Sequence, residues 1–185
     1  MPPLSTSLPS TGITANLGGT ARTTLAEYGV FQVAPAGTVL IQEGKSHGRL
    51  FCVISGTFEA RRKKSAAGEL LGKIQCGEWI GEVDIFDPSS PMCSVIASEP
   101  SHYWEIKRER LEEFLSTHHE AGIVLLIGLA STLGRRIRGI TQKLAEQADR
   151  PQGVATRASE VDDSQIRSAA DLAADFLRQK DLGFK

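Results

Sequence analysis

Between Lys73 and Lys107 the sequence contains no lysine and no arginine, while the same interval carries Glu78, Glu82, Asp84, Asp87, Glu99 and Glu105. Any anion held by this stretch has no cation nearby in sequence. Over the whole chain the charges nearly cancel, 21 Lys+Arg against 22 Asp+Glu for a formal charge of -1, so no global field draws nucleic acid or an acidic membrane surface. Direct DNA binding and membrane attachment are not expected. The three cysteines, Cys52, Cys76 and Cys93, have no paired spacing, which argues against a disulfide framework and for reduced thiols in a cytoplasmic protein. Of the four histidines, His47, His102, His118 and His119, none forms a His-x-His pair, so a cupin-like metal site lacks its ligands. No metal site, cofactor or catalytic residue is expected, and the chain reads as a non-enzyme. The longest apolar block, Ile123 to Ala130, falls far below the roughly 20 residues that span a bilayer. Met1 to Thr20 lacks a basic residue and an apolar run, which argues against a secretory or mitochondrial presequence.

At 185 residues the chain has room for one ordinary domain and its tails. Residues 1–20, rich in Ser, Thr, Pro and Gly, read as a disordered leader with nothing to pack. Thr24 to Tyr28 reads as a short helix ending at Gly29. From Phe31 the period shortens to two, and strands follow at short intervals, each closed by a glycine or polar turn. They are Phe31 to Val33, Val39 to Ile41, Leu50 to Ile54, Thr57 to Arg62, Leu70 to Ile74, Ser94 to Ser98 and Tyr103 to Ile106. Leu50 to Ile54 is apolar on both faces and reads as a buried strand, with Thr57 to Arg62 as its antiparallel partner. The basic run Arg61 to Lys64 reads as a solvated hairpin tip. The fold class is mainly β with helices, an eight-stranded β-barrel or jelly roll closed by C-terminal helices, one of them long.

The helical period begins after Lys107. Arg108 to Ser116 places Leu111, Phe114 and Leu115 on one face. A long helix follows from His119 to Gln147, in which Leu126, Leu133 and Ile140 form one row and Ala130, Ile137 and Leu144 a second. That a/d seam predicts a homodimer, the alternative being a stripe packed on its own barrel. Gly128, Gly134 and Gly139 read as close-approach sites or weak points of that helix. The domain therefore covers residues 21–148. Residues 149–162, with Pro151 and Gly153, read as a linker, and residues 163–185 as a short amphipathic tail helix available to a protein partner. That tail lacks the two crossed helices and basic face of a helix-turn-helix reader.

The stretch that organises the rest is Ile80-Gly81-Glu82-Val83-Asp84-Ile85-Phe86, followed by Pro91-Met92-Cys93-Ser94-Val95. A Gly-Glu pair opening a short apolar turn offers backbone amides to an anion and a carboxylate to a hydroxyl. With the ordered glycines Gly37, Gly44, Gly48, Gly56, Gly68, Gly77 and Gly81, the region from about Leu25 to Ala148 resembles the cyclic-nucleotide-binding domain family. That resemblance implies a phosphate-binding cassette in which Gly81, Glu82 and Val83, with Met92, Cys93 and Ser94 across the loop, contact the ligand, Glu82 taking a ribose hydroxyl. The ligand it implies is cAMP or cGMP. The cassette is degenerate, because Pro91 stands where the family has an arginine and Ser94 takes the place of its Thr or Ser. A missing guanidinium contact is worth about 1.5–3 kcal/mol, and Asp84 adds a further negative charge. The sequence thus describes a regulatory, signalling module that binds a cyclic nucleotide weakly or atypically and signals through its C-terminal helices. The alternative is a degenerate scaffold for dimerisation or protein–protein interaction that binds none.

Overall fold

A computed structural model describes residues 6–63 and 68–148. The expected linker 149–162 and tail helix 163–185 lie outside the described residues, as do the first five residues of the leader and Lys64 of the basic run. Residues up to Leu144 form one compact unit; of the second, Ala145–Lys185, only the end of the long helix is described.

Strand β3 (Arg49–Ser55) explains the layering, because its alternating side chains are apolar on both faces. Leu50 and Cys52 enter one hydrophobic cluster, and Phe51 and Val53 enter another. β3 lies between β8 (Ser101–Lys107) and β6 (Trp79–Ile80) in an antiparallel sheet of order β1-β8-β3-β6, with β1 at Val30–Ala34. The second antiparallel sheet has the order β2-β7-β4-β5, built from Val39–Ile41, Ser94–Ala97, Phe58–Arg62 and Glu69–Ile74. The seven strands placed from the sequence, with β6 as the eighth, are therefore distributed over two four-stranded sheets in place of one closed ring.

The strand pairing corrects one expectation. β4 pairs with β5 and β7, not with β3, because the Ser55-Gly56-Thr57 turn hands the chain from one sheet to the other. The Thr57 amide donates to Ser101 Oγ at 3.2 Å, which ties that crossing to β8.

Between the two sheets, Ile41, Phe51, Val53, Phe58, Ile74 and Ile80 fill the second cluster. The first cluster lies on the other face of the β3 sheet, under the helices. These are α1 (Gly19–Glu27), α3 (Arg108–Thr117) and the long α4 (His119–Ala148). α1 begins five residues before the expected Thr24. Trp79 and Trp104 meet edge to face at 5.8 Å, and Trp104 Nε1 donates to Ala26 O at 3.1 Å.

Residues 6–20 overturn the expectation of an unpacked leader. Leu8, Ile13 and Leu17 are buried in the helical cluster, and Gly12–Asn16 makes a 3-10 turn. A few apolar side chains spaced four or five apart sufficed to anchor a segment whose composition is otherwise that of a loop. The clearest reason for a glycine in α4 is here, since a Cβ on Gly128 would lie 2.7 Å from Ile13 Cγ2. Gly139, by contrast, faces open space.

Candidate functional site

Gly81 opens the site. Its φ of +90° belongs to the left-handed region, and a Cβ there would fall 2.5 Å from Arg49 O, so glycine is required on both counts. The turn that follows, α2 (Glu82–Phe86), is five residues long. One turn aligns too few peptides to make a strong dipole, so α2 by itself is a poorer anion site than its sequence suggests.

Asp84 borders the cavity with its charge already met by donors. Its carboxylate turns toward the β2–β3 loop, accepting from Ser46 Oγ at 2.7 Å, from the Gly48 amide at 2.6 Å and from the His47 amide at 3.2 Å. Burial alone pushes the Asp84 carboxyl up, but these three donors and the nearby His47 outweigh it and hold it below the ordinary carboxylate value. Burial also lowers His47, with the Arg49 charge acting the same way and Asp84 opposing both. The Arg49 amide donates to His47 Nδ1 at 3.1 Å, which fits an unprotonated Nδ1. Arg108 fastens the same turn from α3 by donating to the Asp84 carbonyl.

Glu82 is the centre of the site, its side chain 2 % exposed. Arg136 reaches it from α4: Nη1 donates to Glu82 Oε1, and Nη2 donates to the Trp79 carbonyl at 2.7 Å. The second carboxylate oxygen, Oε2, is buried with no hydrogen-bond partner among the described residues, as is Trp79 Nε1. A buried carboxylate oxygen left without a donor is uncommon and calls for an explanation.

Arg136 is the residue of this site that reading the sequence locally missed. No cation lies near Glu82 in sequence, and the one that meets it comes from 54 positions downstream. A signal was present: Leu125, Leu129 and Arg136 fall at spacings of four and seven, so Arg136 continues the buried row of α4.

Around this pair opens a cavity of about 640 Å³. Of the residues that the resemblance implies for the ligand, Gly81, Glu82, Val83, Met92 and Cys93 line this cavity; Ser94 does not, its Oγ accepting from the Glu43 amide at 3.0 Å. Ile41, Ile80 and Val95 form an apolar floor, while Leu71, Met92 and Ile140 stand exposed at the rim. Arg136 and the exposed Lys73 are its cations. Burial raises the Cys93 thiol, with Glu43 adding to the effect, so it is not poised as a thiolate. A larger hollow of about 860 Å³ runs between residues 6–10 and α1, with Arg22 and Glu27 in its lining.

The expected dimer residues divide by position. Ala130, Ile137, Ile140 and Leu144 are exposed on α4, whereas Leu126 and Leu133 are half-buried. Ile123 and Ile127 extend the exposed apolar stripe toward the start of the helix. Among the described residues there is no cluster of metal-ligating side chains and no helix long and apolar enough to cross a membrane.

A site that offers a buried carboxylate, a guanidinium and apolar walls can hold a ligand with hydroxyl, anionic and flat apolar parts. Comparison with known proteins agrees in kind. Residues 31–118 match the family model described as the cyclic nucleotide-binding domain. Among solved structures, the chain is similar to the catabolite activator protein of Thermus thermophilus, at 20 % identity and a TM-score of 0.66, over 75 % of this chain and 63 % of that one. It is similar to a cyclic nucleotide-binding domain from Methylobacillus flagellatus, at 22 % identity and a TM-score of 0.66, over 76 % and 78 % of the two chains. The regulatory domain of Toxoplasma gondii PKA, solved with cAMP, matches at 16 % identity and a TM-score of 0.55, over 66 % of this chain and 45 % of that one. No curated protein matches the sequence. At these identities the structures establish the fold, and residues 31–118 carry the match to the cyclic nucleotide-binding domain family.

Proposed function

We propose that the protein is a non-catalytic regulatory module that binds a cyclic nucleotide, cAMP or cGMP, weakly or atypically and signals through its C-terminal helices. The observation that carries this reading is Glu82, buried at the cavity floor with Oε2 lacking a donor that a sugar hydroxyl would supply. Gly81 and Val83 frame the carboxylate, and Met92 and Cys93 give the opposite wall. Ligand contact on α2 is one step from α4 through the Glu82–Arg136 pair, so a ligand with different affinity for two positions of α4 would bias that helix. Ile137, Ile140 and Leu144, exposed on α4, would pair with a second copy, and the tail 163–185 would meet a protein partner in the cytoplasm.

A second reading is a scaffold that binds no nucleotide. It is favoured by the Arg136–Glu82 pair, which satisfies half of the carboxylate from within the chain.

Calorimetric titration with cAMP and cGMP separates the two. Binding between about 1 μM and 1 mM that Glu82→Ala abolishes supports the sensor, and silence up to millimolar ligand supports the scaffold. Sedimentation tests the dimer: association that Ile137→Asp weakens is expected, and a monomer at all concentrations refutes it.

A further inference from the structure

We infer that Arg136 is the anion-binding residue of the cavity, supplying from α4 the positive charge that the loop after α2 lacks. The inference rests on the reading of the cavity as a nucleotide site and adds the group that would recognise the phosphate. An arginine has five N–H donors in a planar fork. Arg136 spends one on Glu82 Oε1 and one on the Trp79 carbonyl, which fixes its plane and leaves three for a ligand. Its side chain is 40 % exposed, so that the remaining donors are reachable, whereas Glu82 is sealed from water.

The geometry matches one ligand chemistry. Glu82 Oε2 needs a hydroxyl, and the guanidinium beside it needs an anion, so the complementary molecule carries a hydroxyl next to a phosphate. A sugar cyclic phosphodiester, with its free hydroxyl on the carbon adjacent to a phosphorylated one, has that arrangement. Both groups bind without displacing the Arg136–Glu82 pair. Lys73, the other cation of the wall, is exposed on β5, and no contact ties it to Glu82. Because Arg136 belongs to α4, phosphate affinity and the position of that helix become one quantity.

The test is calorimetric titration of the wild type, Arg136→Ala, Arg136→Lys and Lys73→Ala with cAMP and with adenosine, which keeps base and sugar but has no phosphate. Thermal melting checks that each variant is folded, and Arg136→Gln replaces the alanine variant if that one is not. The wild type is expected to prefer cAMP to adenosine by at least about tenfold, with the preference shrinking as salt rises. Arg136→Ala should weaken cAMP by about 10- to 100-fold, change adenosine by much less and erase the preference, with Arg136→Lys in between. Hydrogen exchange in α4 around residues 133–140 should slow with cAMP and not with adenosine.

Tighter cAMP binding by Arg136→Ala would make Arg136 a plug and overturn the inference. So would a loss confined to Lys73→Ala, or equal wild-type affinity for cAMP and adenosine, and these outcomes leave the nucleotide cavity standing. If neither molecule binds the wild type at millimolar concentration, the cavity reading itself falls and takes the assignment with it.

Discussion

The first and second parts of α4 are one continuous helix held in two different ways. Over residues 119–133, Leu125 and Leu129 are completely buried and Gly128 lies against Ile13, so dense apolar packing fixes the backbone. Over residues 134–144, Ile137, Ile140 and Leu144 are exposed, and Arg136 ties the helix to the domain. A segment fastened by close packing yields only when the core yields, whereas one fastened by charge responds to whatever else enters the charged site.

The sharpest way to break this contrast is to truncate each part in turn. Leu129→Ala should cost about 2–5 kcal/mol of unfolding free energy in a denaturant melt. Ile137→Ala on the exposed side should stay within about 0.5 kcal/mol in the monomer. Similar losses at both positions would mean that the second part is covered after all.

Next in size is Arg136→Ala. It leaves the Glu82 carboxylate buried with neither oxygen satisfied, for a loss of about 1–3 kcal/mol, moderated because the guanidinium is partly in water. Glu82→Gln in the same background should restore part of that loss, since a neutral amide is cheaper to bury than an unpaired carboxylate.

Gly128→Ala sharpens the comparison from the packed side. Alanine gains about 1 kcal/mol in helix propensity but must push Ile13 aside, at about 1–3 kcal/mol. A small net loss in melting temperature is expected, and Ile13→Ala, which removes the clashing Cγ2, should make the same Gly128 substitution stabilising in that background. At Gly139, where nothing lies within 4 Å, the same substitution should stabilise.

The smallest effect is the response to pH where the α2 turn meets the β2–β3 loop. His47 is held below its ordinary value of 6.5, so the unfolded chain takes up its proton first; this stability is complete above pH 6.5 and is lost as pH falls below it. Asp84 is held below its ordinary value of 3.8, so its contribution is complete above that pH and is lost as pH falls through its folded value. A melting temperature measured from pH 7 to pH 3 should therefore decline in two stages. Asp84→Asn should remove the lower stage and lower the plateau at pH 7.

Much of this architecture is readable in the residues. The two-sided apolar run of β3 and the helical periods of α3 and α4 put those elements within a residue or two of their observed limits. Periodicity is local, and local order carries it. Three features escaped because their causes are distant. β6 is two residues long, too short to show a period, and is a strand because β3 provides partners for Trp79 and Ile80. The β3–β4 turn looks like a hairpin until the competing pairings with β8 and β7 are known. Residues 6–20 pack because Leu8, Ile13 and Leu17 find a groove that their own composition does not announce. At the site, Gly81 and Glu82 stood out as a Gly-Glu pair opening a short turn and through the resemblance to the family. The outward use of Asp84 and the arrival of Arg136 were not, since each depends on a partner tens of residues away.

The Trp79 backbone carries a consequence of its own. Its carbonyl takes a bond from Arg136 while its ring leans on Trp104, and these are the chain's two indoles. Ultraviolet emission from this pair should therefore shift when the guanidinium moves, an optical gauge that needs no added dye and that Arg136→Ala is expected to alter.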